Sequence, residues 1–463
     1  MSRREIDLSS VDARPETKFV MSGETSIAYQ VFGRGDQDLL YVPGIISHLE
    51  AQWDDPEAKG FLLDLSRHYR VIMIDKRGQG MSDRIDGATT LEERIDDLRA
   101  VMEATASTVV NIFAISEGGP VSLLFAATYP ERVKRLILFG AMAKFWGSAD
   151  YPYMAPIESM QQSIDTIASN WGRGHFAERA GPIPTEAFRR PMLARLERMA
   201  CSPAAIRKFL AANSLIDVRP ILPEIRQECL VIQRRHDRMV GCGNGRYLAD
   251  RIVQATYLEL PGTAHLPQYD DWSAIIAASV QFTGQAKDQS SKTQALDRKL
   301  CTALFTDMVG STRHLAEIGD HAWRSMLDQH DAIVMPLVLS HHGRVIKHTG
   351  DGVLAIFDGP VRALQCALTM VEQLKTIKLS IRAGLHVGEV VFRGDDVTGI
   401  AVNIAARVMD QAESGEVLMT KTIKDLTGGS QMRFESVGDR VLKGLKEPYE
   451  LFRHCGADSF SIA

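Results

Sequence analysis

Asn111 to Pro130 reads NIFAISEGGPVSLLFAATYP. An apolar run stops on Ser116 among small residues and restarts as a second apolar run of helix length. The pattern predicts a strand, a tight turn carrying the serine, and a buried helix. A turn of that kind can present a nucleophilic hydroxyl.

Working outward, the runs DLLYVPG, RVIMIDKRG, RLILFG, ECLVIQRR and ATYLELPG alternate with amphipathic segments from about Ile27 to Phe282. Such alternation predicts a mainly parallel sheet with helices on both faces, an α/β architecture. Between Lys144 and about Leu222 the strand pattern gives way to segments rich in Met, Arg and Ala, predicting a helical cap over about 144–222. The aromatic stretch FWGSADYPYMAPIESM in that cap suits either an apolar acyl pocket or packing against the sheet. Residues 285–297 have the polar composition of a linker, dividing the chain into an N-terminal domain over 1–284 and a C-terminal domain over 298–463.

The chain of 463 residues has a net charge of -5 with both signs interspersed, so no extended basic face for nucleic acid is present. The start, MSRREIDLSS, lacks the apolar stretch of a signal peptide, and no window reaches the length of a membrane span. These features predict a soluble, cytoplasmic protein. The six cysteines are scattered without the paired spacing of zinc or redox sites, and are expected to be reduced, buried thiols.

After the linker, KLCTALFTDMV predicts a strand, followed by a long helix, a hairpin at Gly350-Asp351-Gly352, another helix and the strand SIRAGLHVGEVVF. The order β-α-β-β-α-β is that of a ferredoxin-like, palm-type α+β sheet. Asp307 ends the first strand and Asp351 sits in the hairpin turn. Alone, each has a plain structural reading, a helix N-cap and a turn residue. If the two strands are neighbours, the carboxylates converge and offer hard oxygen ligands to Mg²⁺ or Mn²⁺. His341 and His342 lie at a helix end before Gly343 with no further ligand pattern, so they are not read as a metal site.

ALFTDMVGST, IKHTGDG, GLHVGEV, GDDVTGIAVNIAAR and VLKGL occur in the order and at the separations of class III adenylyl cyclase catalytic domains, which this half resembles over about Arg298 to His454. The resemblance implies that Asp307 and Asp351 hold two Mg²⁺ or Mn²⁺ ions per site. It places the adenine-reading pair on Lys347 and Asp396, and the transition-state pair on Asn403 and Arg407. Lys443 matches a further phosphate contact, its plain reading being a surface lysine on a β-edge. The implied substrate is ATP, the product 3′,5′-cyclic AMP with pyrophosphate, and the assembly a homodimer with shared sites. Lys347 can donate to adenine N1 and Asp396 can accept from the exocyclic amine, whereas guanine reverses both. Asn403 and Arg407, four apart on a helical stretch, share one face.

Ser116, within Ala114-Ile115-Ser116-Glu117-Gly118, is similar to the nucleophile elbow of α/β-hydrolase-fold proteins, with Ala114 in place of the first glycine. That resemblance implies Asp237 as the acid and His265 as the base, in the chain order the fold uses. It further implies an oxyanion hole from the backbone N–H groups of Glu117 and Ile45. An apolar or ester ligand would enter there.

The combination resembles mycobacterial-type class III cyclases with an N-terminal hydrolase-fold domain. It implies an adenylate cyclase whose first domain acts as ligand sensor, esterase or both. The alternative reading is a serine esterase or lipase in which the cyclase domain is a nucleotide-binding regulator.

Overall fold

The computed structural model describes residues 14–85, 87, 89–176, 186–284 and 298–457, and the linker expected over 285–297 lies outside them. The chain divides into two compact units, Met1–Gln289 and Ser290–Ala463.

In the first unit the strands are β1 (Lys18–Ser22), β2 (Thr25–Phe32), β3 (Asp38–Val42), β4 (Arg70–Ile74), β5 (Val110–Ile115), β6 (Val133–Phe139), β7 (Glu228–Arg234) and β8 (Ala255–Leu260). They form one sheet in the order β1-β2-β4-β3-β5-β6-β7-β8. From β4 to β8 every pairing is parallel, while β1 and β2 join antiparallel at one edge. The helices are α1 (Pro56–Ser66), α2 (Leu91–Ala104), α3 (Gly118–Thr128), α4 (Met160–Ser169), α5 (Glu186–Ala200), α6 (Pro203–Asn213), α7 (Cys242–Arg251) and α8 (Ser273–Gly284). The helices α4, α5 and α6 all fall between β6 and β7, in the stretch where the sequence loses its strand pattern.

Strand β5 is buried at every position because parallel strands are covered on both faces. Phe113 stacks on Tyr41 of β3 with centroids 5.9 Å apart and touches Phe61 of α1 at 6.0 Å. Each buried ring contributes roughly 1.5–3 kcal/mol of transfer free energy. The cap stretch 145–160 packs rather than lining the pocket at Ser116. Phe145 and Trp146 join Trp171 and Phe209 in a cap cluster, while Tyr151 packs edge-on to Tyr247 at 4.8 Å.

The second unit contains β9 (Arg298–Met308), β10 (Arg344–His348), β11 (Val353–Phe357), β12 (Ile381–Arg393), β13 (Asp396–Thr398), β14 (Val417–Thr420), β15 (Met432–Val441) and β16 (Pro448–Ala457). Its helices are α9 (Ser311–Ser340), α10 (Pro360–Thr376), α11 (Ile400–Met409) and α12 (Lys421–Leu426). The sheet order is β10-β11-β9-β12-β14-β16-β15, with β13 paired to β12. The β-α-β-β-α-β core is extended by β13 to β16, and α9 is interrupted where Gly319 leaves helical geometry at φ 76°.

Among the described residues no helix is long and apolar enough to cross a membrane. All six cysteines are free thiols; four are buried, Cys242 is partly exposed and Cys455 is exposed.

Candidate functional site

In the first unit, Ser116 follows the last residue of β5 and precedes α3 by one residue, at φ 53°. A positive φ is uncommon for a residue with a side chain and is held here by packing. Ser116 N–H donates to the Phe139 carbonyl at 2.9 Å, and the Ser116 carbonyl accepts from Gly119 N–H at 2.9 Å. Gly118 must be glycine for a steric reason: a Cβ there would stand 2.7 Å from the Val42 carbonyl oxygen. The helix can therefore start hard against β3, which brings the serine to the C-terminal edge of the parallel strands.

The two partners expected from the sequence meet at that edge. His265 Nδ1 lies 2.8 Å from Asp237 Oδ2, and both side chains are buried. The other Asp237 oxygen accepts from the N–H groups of Met239 and Val240 at 2.8 and 3.1 Å, so the carboxylate is oriented by its own turn. His265 Nε2 is buried without a hydrogen-bond partner among the described residues. His265 lines a cavity of about 80 Å³ together with Ser116, Ile45, Phe176, Leu193 and Leu196, among others. An imidazole whose Nε2 has no partner, lining the same cavity as a serine, is placed to act as a general base towards a hydroxyl. Ile45 lines this cavity and Glu117 directly follows the serine; neither backbone N–H donates to a backbone carbonyl among the described residues.

Several supporting residues escaped the sequence reading. Arg234, fully buried at the end of β7, donates to the carbonyls of Ala264, Leu266 and Pro267 at 3.0, 2.8 and 3.0 Å, shaping the loop that carries His265. Glu197 of α5, also fully buried, accepts from the N–H groups of Gly172, Gly174 and Phe176 at 2.7, 2.9 and 3.2 Å and so pins Phe176 over the cavity. His236, beside Asp237, is exposed and makes no part of this arrangement.

In the second unit, Asp307 lies on β9 and Asp351 in the turn between β10 and β11. Gly352 brings them together: a Cβ there would lie 1.8 Å from the Thr306 carbonyl oxygen, so only glycine lets the turn close on the end of β9. Partial burial raises the Asp307 pKa, the Arg382 guanidinium opposes that shift, and the neighbouring Asp351 carboxylate adds to it. Arg382 Nε and Nη2 donate to Asp307 Oδ2 at 2.9 and 2.7 Å, a contact not foreseen from the sequence. Two neighbouring carboxylates at the end of β9 and in the adjoining turn are hard oxygen donors of the kind that a divalent cation fits.

Lys347 on β10 and Asp396 on β13 meet through two hydrogen bonds of 2.8 and 2.9 Å, half-exposed. A register shift between Val345 and Lys347 re-aims the strand at that point. Lysine hydrogen bonding holds the Asp396 carboxyl below the usual carboxylate range. Asn403 and Arg407 lie on α11, whose residues Ala401, Ile404, Ala405 and Val408 are buried, so the polar pair is on the outward side. Arg407 pairs with Asp410 at 2.9 Å. Lys443 is exposed in the loop after β15, at the sheet edge opposite β10, and is not brought to Lys347 within one chain. His341 caps the end of α9 with Nδ1 2.8 Å from the Leu337 carbonyl.

The profile described as alpha/beta hydrolase fold matches residues 39–271, about half of the chain, and the profile described as adenylate and guanylate cyclase catalytic domain matches residues 294–453. The chain is 30% identical over 208 residues to a 2-hydroxy-6-oxo-2,4-heptadienoate hydrolase of Pseudomonas putida, covering 43% of this chain and 72% of that protein. It is 27% identical over 168 residues to a putative adenylate cyclase 3 of Rhizobium meliloti, covering 34% of this chain and 29% of that protein. The chain spans 19% to 46% of the length of three of the curated relatives it matches. Among solved structures, an esterase of Exiguobacterium antarcticum superposes with TM-score 0.52 at 20% identity, covering 58% of this chain and all of that one, a likeness of fold.

Proposed function

The chain belongs to the α/β-hydrolase-fold family and carries an adenylate and guanylate cyclase catalytic domain behind it; from that premise we propose that its main output is 3′,5′-cyclic AMP made from ATP. The observation that carries the proposal is the convergence of Asp307 and Asp351 across the Gly352 turn, with the Lys347–Asp396 pair on the same sheet. Divalent cations held by the two aspartates would lower the pKa of the ribose 3′-hydroxyl and neutralise the polyphosphate.

The chain's own residues supply the rest. Lys347 and Asp396 exchange their mutual hydrogen bonds for the adenine edge, Lys347 donating to N1 and Asp396 accepting from the amine. Arg407 stabilises charge on the phosphates and Asn403 orients the ribose. Lys443 adds a phosphate contact. In the proposed homodimer, one subunit supplies the aspartates and the other the adenine and Asn403–Arg407 pairs. The half-exposed state of Lys347 and Asp396 supports this arrangement, since groups meant to bury a base still face solvent. A cyclase assay on full-length protein with ATP, GTP and Mn²⁺ tests the reading. Cyclic AMP formation lost in Asp351→Ala supports it, and formation unaffected by that change sinks it.

A second reading concerns the first unit: a serine hydrolase acting on a small ester, or a sensor that holds such a ligand and biases the cyclase. The turn at Ser116 and the 2.8 Å His265–Asp237 contact support it. Hydrolysis of p-nitrophenyl acetate abolished by Ser116→Ala would support the esterase form. Cyclase activity unchanged across a panel of esters would remove the sensor form.

A further inference from the structure

Behind Ser116 lies a cluster of buried charges that the triad does not require. Lys76, two residues past β4, directs Nζ to two acceptors, Glu117 Oε2 at 2.8 Å and the carbonyl of Gly44. The other Glu117 oxygen accepts from Arg94 of α2, which also donates to Thr89 Oγ1 at 2.9 Å and Asn213 Oδ1 at 2.8 Å. The ring of Phe209 lies under both cations, 4.7 Å from Lys76 Nζ and 4.8 Å from the Arg94 guanidinium carbon. Lys76, Arg94 and Glu117 are 6%, 4% and 0% exposed, so the whole group is out of water. Desolvating charges this far is costly, and such a cluster is weak as a source of stability compared with apolar packing.

Its position suggests what it does. The Gly44 carbonyl and the Ile45 N–H belong to one peptide unit. Glu117 carries the other N–H beside the serine, and its side chain is the second thing Lys76 holds. One ammonium group therefore ties the Gly44–Ile45 peptide to Glu117, and the N–H groups of Ile45 and Glu117 have no backbone acceptor among the described residues. A cation on a carbonyl oxygen also polarises its peptide, making the N–H a stronger donor.

We propose that Lys76 is the positioning residue of the oxyanion hole, fixing the Ile45 and Glu117 N–H groups as a pair and strengthening the Ile45 donor. The proposal rests on the reading of the first unit as a serine hydrolase. In that reaction the Ser116 Oγ bonds to the acyl carbon, its proton passes to His265 Nε2, and the carbonyl π pair moves onto oxygen. That oxygen accepts from the two N–H groups. On collapse the carbonyl reforms, the ester C–O bond breaks, and the leaving alkoxide takes the proton from His265; water then repeats the sequence to free the acid. The group that Lys76 serves is the one bearing negative charge only in the intermediate, so its effect belongs in kcat rather than in KM.

The test uses full-length wild type, Lys76→Met, Lys76→Gln and Lys76→Arg, with p-nitrophenyl acetate turnover, fluorophosphonate labelling of Ser116 and inhibition by an alkylboronic acid. Lys76→Met is expected to lower kcat about 10- to 100-fold with KM within about twofold, and to weaken the boronate, whose adduct is tetrahedral and anionic, in parallel. Lys76→Arg restores most of both. Should Lys76→Met fail to fold, Lys76→Gln carries the test, keeping a donor for the Gly44 carbonyl without the charge, and is expected to lose about tenfold in kcat. A reactive wild type with unchanged kcat and boronate affinity in the neutral variants overturns the role of Lys76 alone. A wild type inert to both ester and fluorophosphonate overturns the hydrolase reading and this inference together.

Discussion

Asp307 and Arg382 are direct cross-strand partners on β9 and β12, and the guanidinium gives both its hydrogen bonds to a single carboxylate oxygen, at 2.9 and 2.7 Å. The side chains are 25% and 31% exposed, so the pair is partly screened rather than sealed. An arginine in that position competes with any cation for the carboxylate. Arg382→Ala is therefore expected to bind Mn²⁺ several-fold more tightly in the absence of nucleotide, read by electron paramagnetic resonance of free Mn²⁺. Weaker Mn²⁺ binding in that variant would mean that Arg382 holds Asp307 in place for the metal instead.

Lys347 and Asp396 hydrogen-bond to each other, and the proposed function assigns them base preference through complementary hydrogen bonding. Lys347→Ala and Asp396→Ala should each lower kcat/KM for ATP by about 10- to 100-fold while changing the rate with GTP little. Competition assays with both nucleotides measure this. A parallel loss for the two bases would assign the pair a structural role.

Arg234 holds the His265 loop by its carbonyls while lying 5.3 Å from the Phe139 ring centroid. Arg234→Met leaves those buried carbonyls without donors, at a cost of roughly 2–4 kcal/mol. Chemical denaturation should show the loss in the first unit, and fluorophosphonate labelling of Ser116 should slow because His265 is no longer fixed. Labelling at the wild-type rate would separate the loop's order from the triad.

His386, inside the core of the second unit, is kept neutral by burial, its pKa pushed down to about 3, with Nδ1 2.8 Å from Thr420 Oγ1. In the unfolded chain the imidazole titrates near 6.5. The unfolded state thus takes up the proton first, so the contribution of His386 to the stability of this unit is fully present above about pH 6.5 and falls by about 1.4 kcal/mol per pH unit as the pH drops towards 3. Between pH 7 and pH 5, amide protection in β12 and β14 should fall roughly 30-fold beyond the intrinsic effect of pH. His386→Gln should flatten that dependence; an unchanged slope would assign acid sensitivity to other groups.

Much of this architecture was legible because the fully buried strands read as unbroken apolar runs. NIFAIS, RLILFG and ECLVIQRR each became a strand, and Ser116 stood where the first of these runs stops among small residues. Asp307 and Asp351 were legible for the same reason, standing at an apolar strand end and between two glycines. The partners that hold these groups were not legible. Arg382, Arg234, Lys76 and Glu197 act through contacts with chain segments far away in sequence, and a single buried charge carries no periodicity. The helices α4, α5 and α6 lie between β6 and β7, within the stretch expected to be a cap. Its pocket-lining residues, Phe176, Leu193 and Leu196, come from a different part of it than the aromatic stretch at 145–160, because those rings are consumed in packing against the cap core and α7.

The measurement that bears most directly on the central claim is cyclic AMP formation from ATP and Mn²⁺ by four full-length samples: wild type, Asp307→Ala, Arg407→Ala, and an equal mixture of the two variants. A shared site in a homodimer predicts an active wild type, each variant reduced at least about 100-fold, and the mixture recovering up to about a quarter of wild-type activity through the one intact site of the mixed dimer. Cyclic AMP formation undiminished in Asp307→Ala would contradict the account, and two inactive variants that stay inactive on mixing would contradict the shared site.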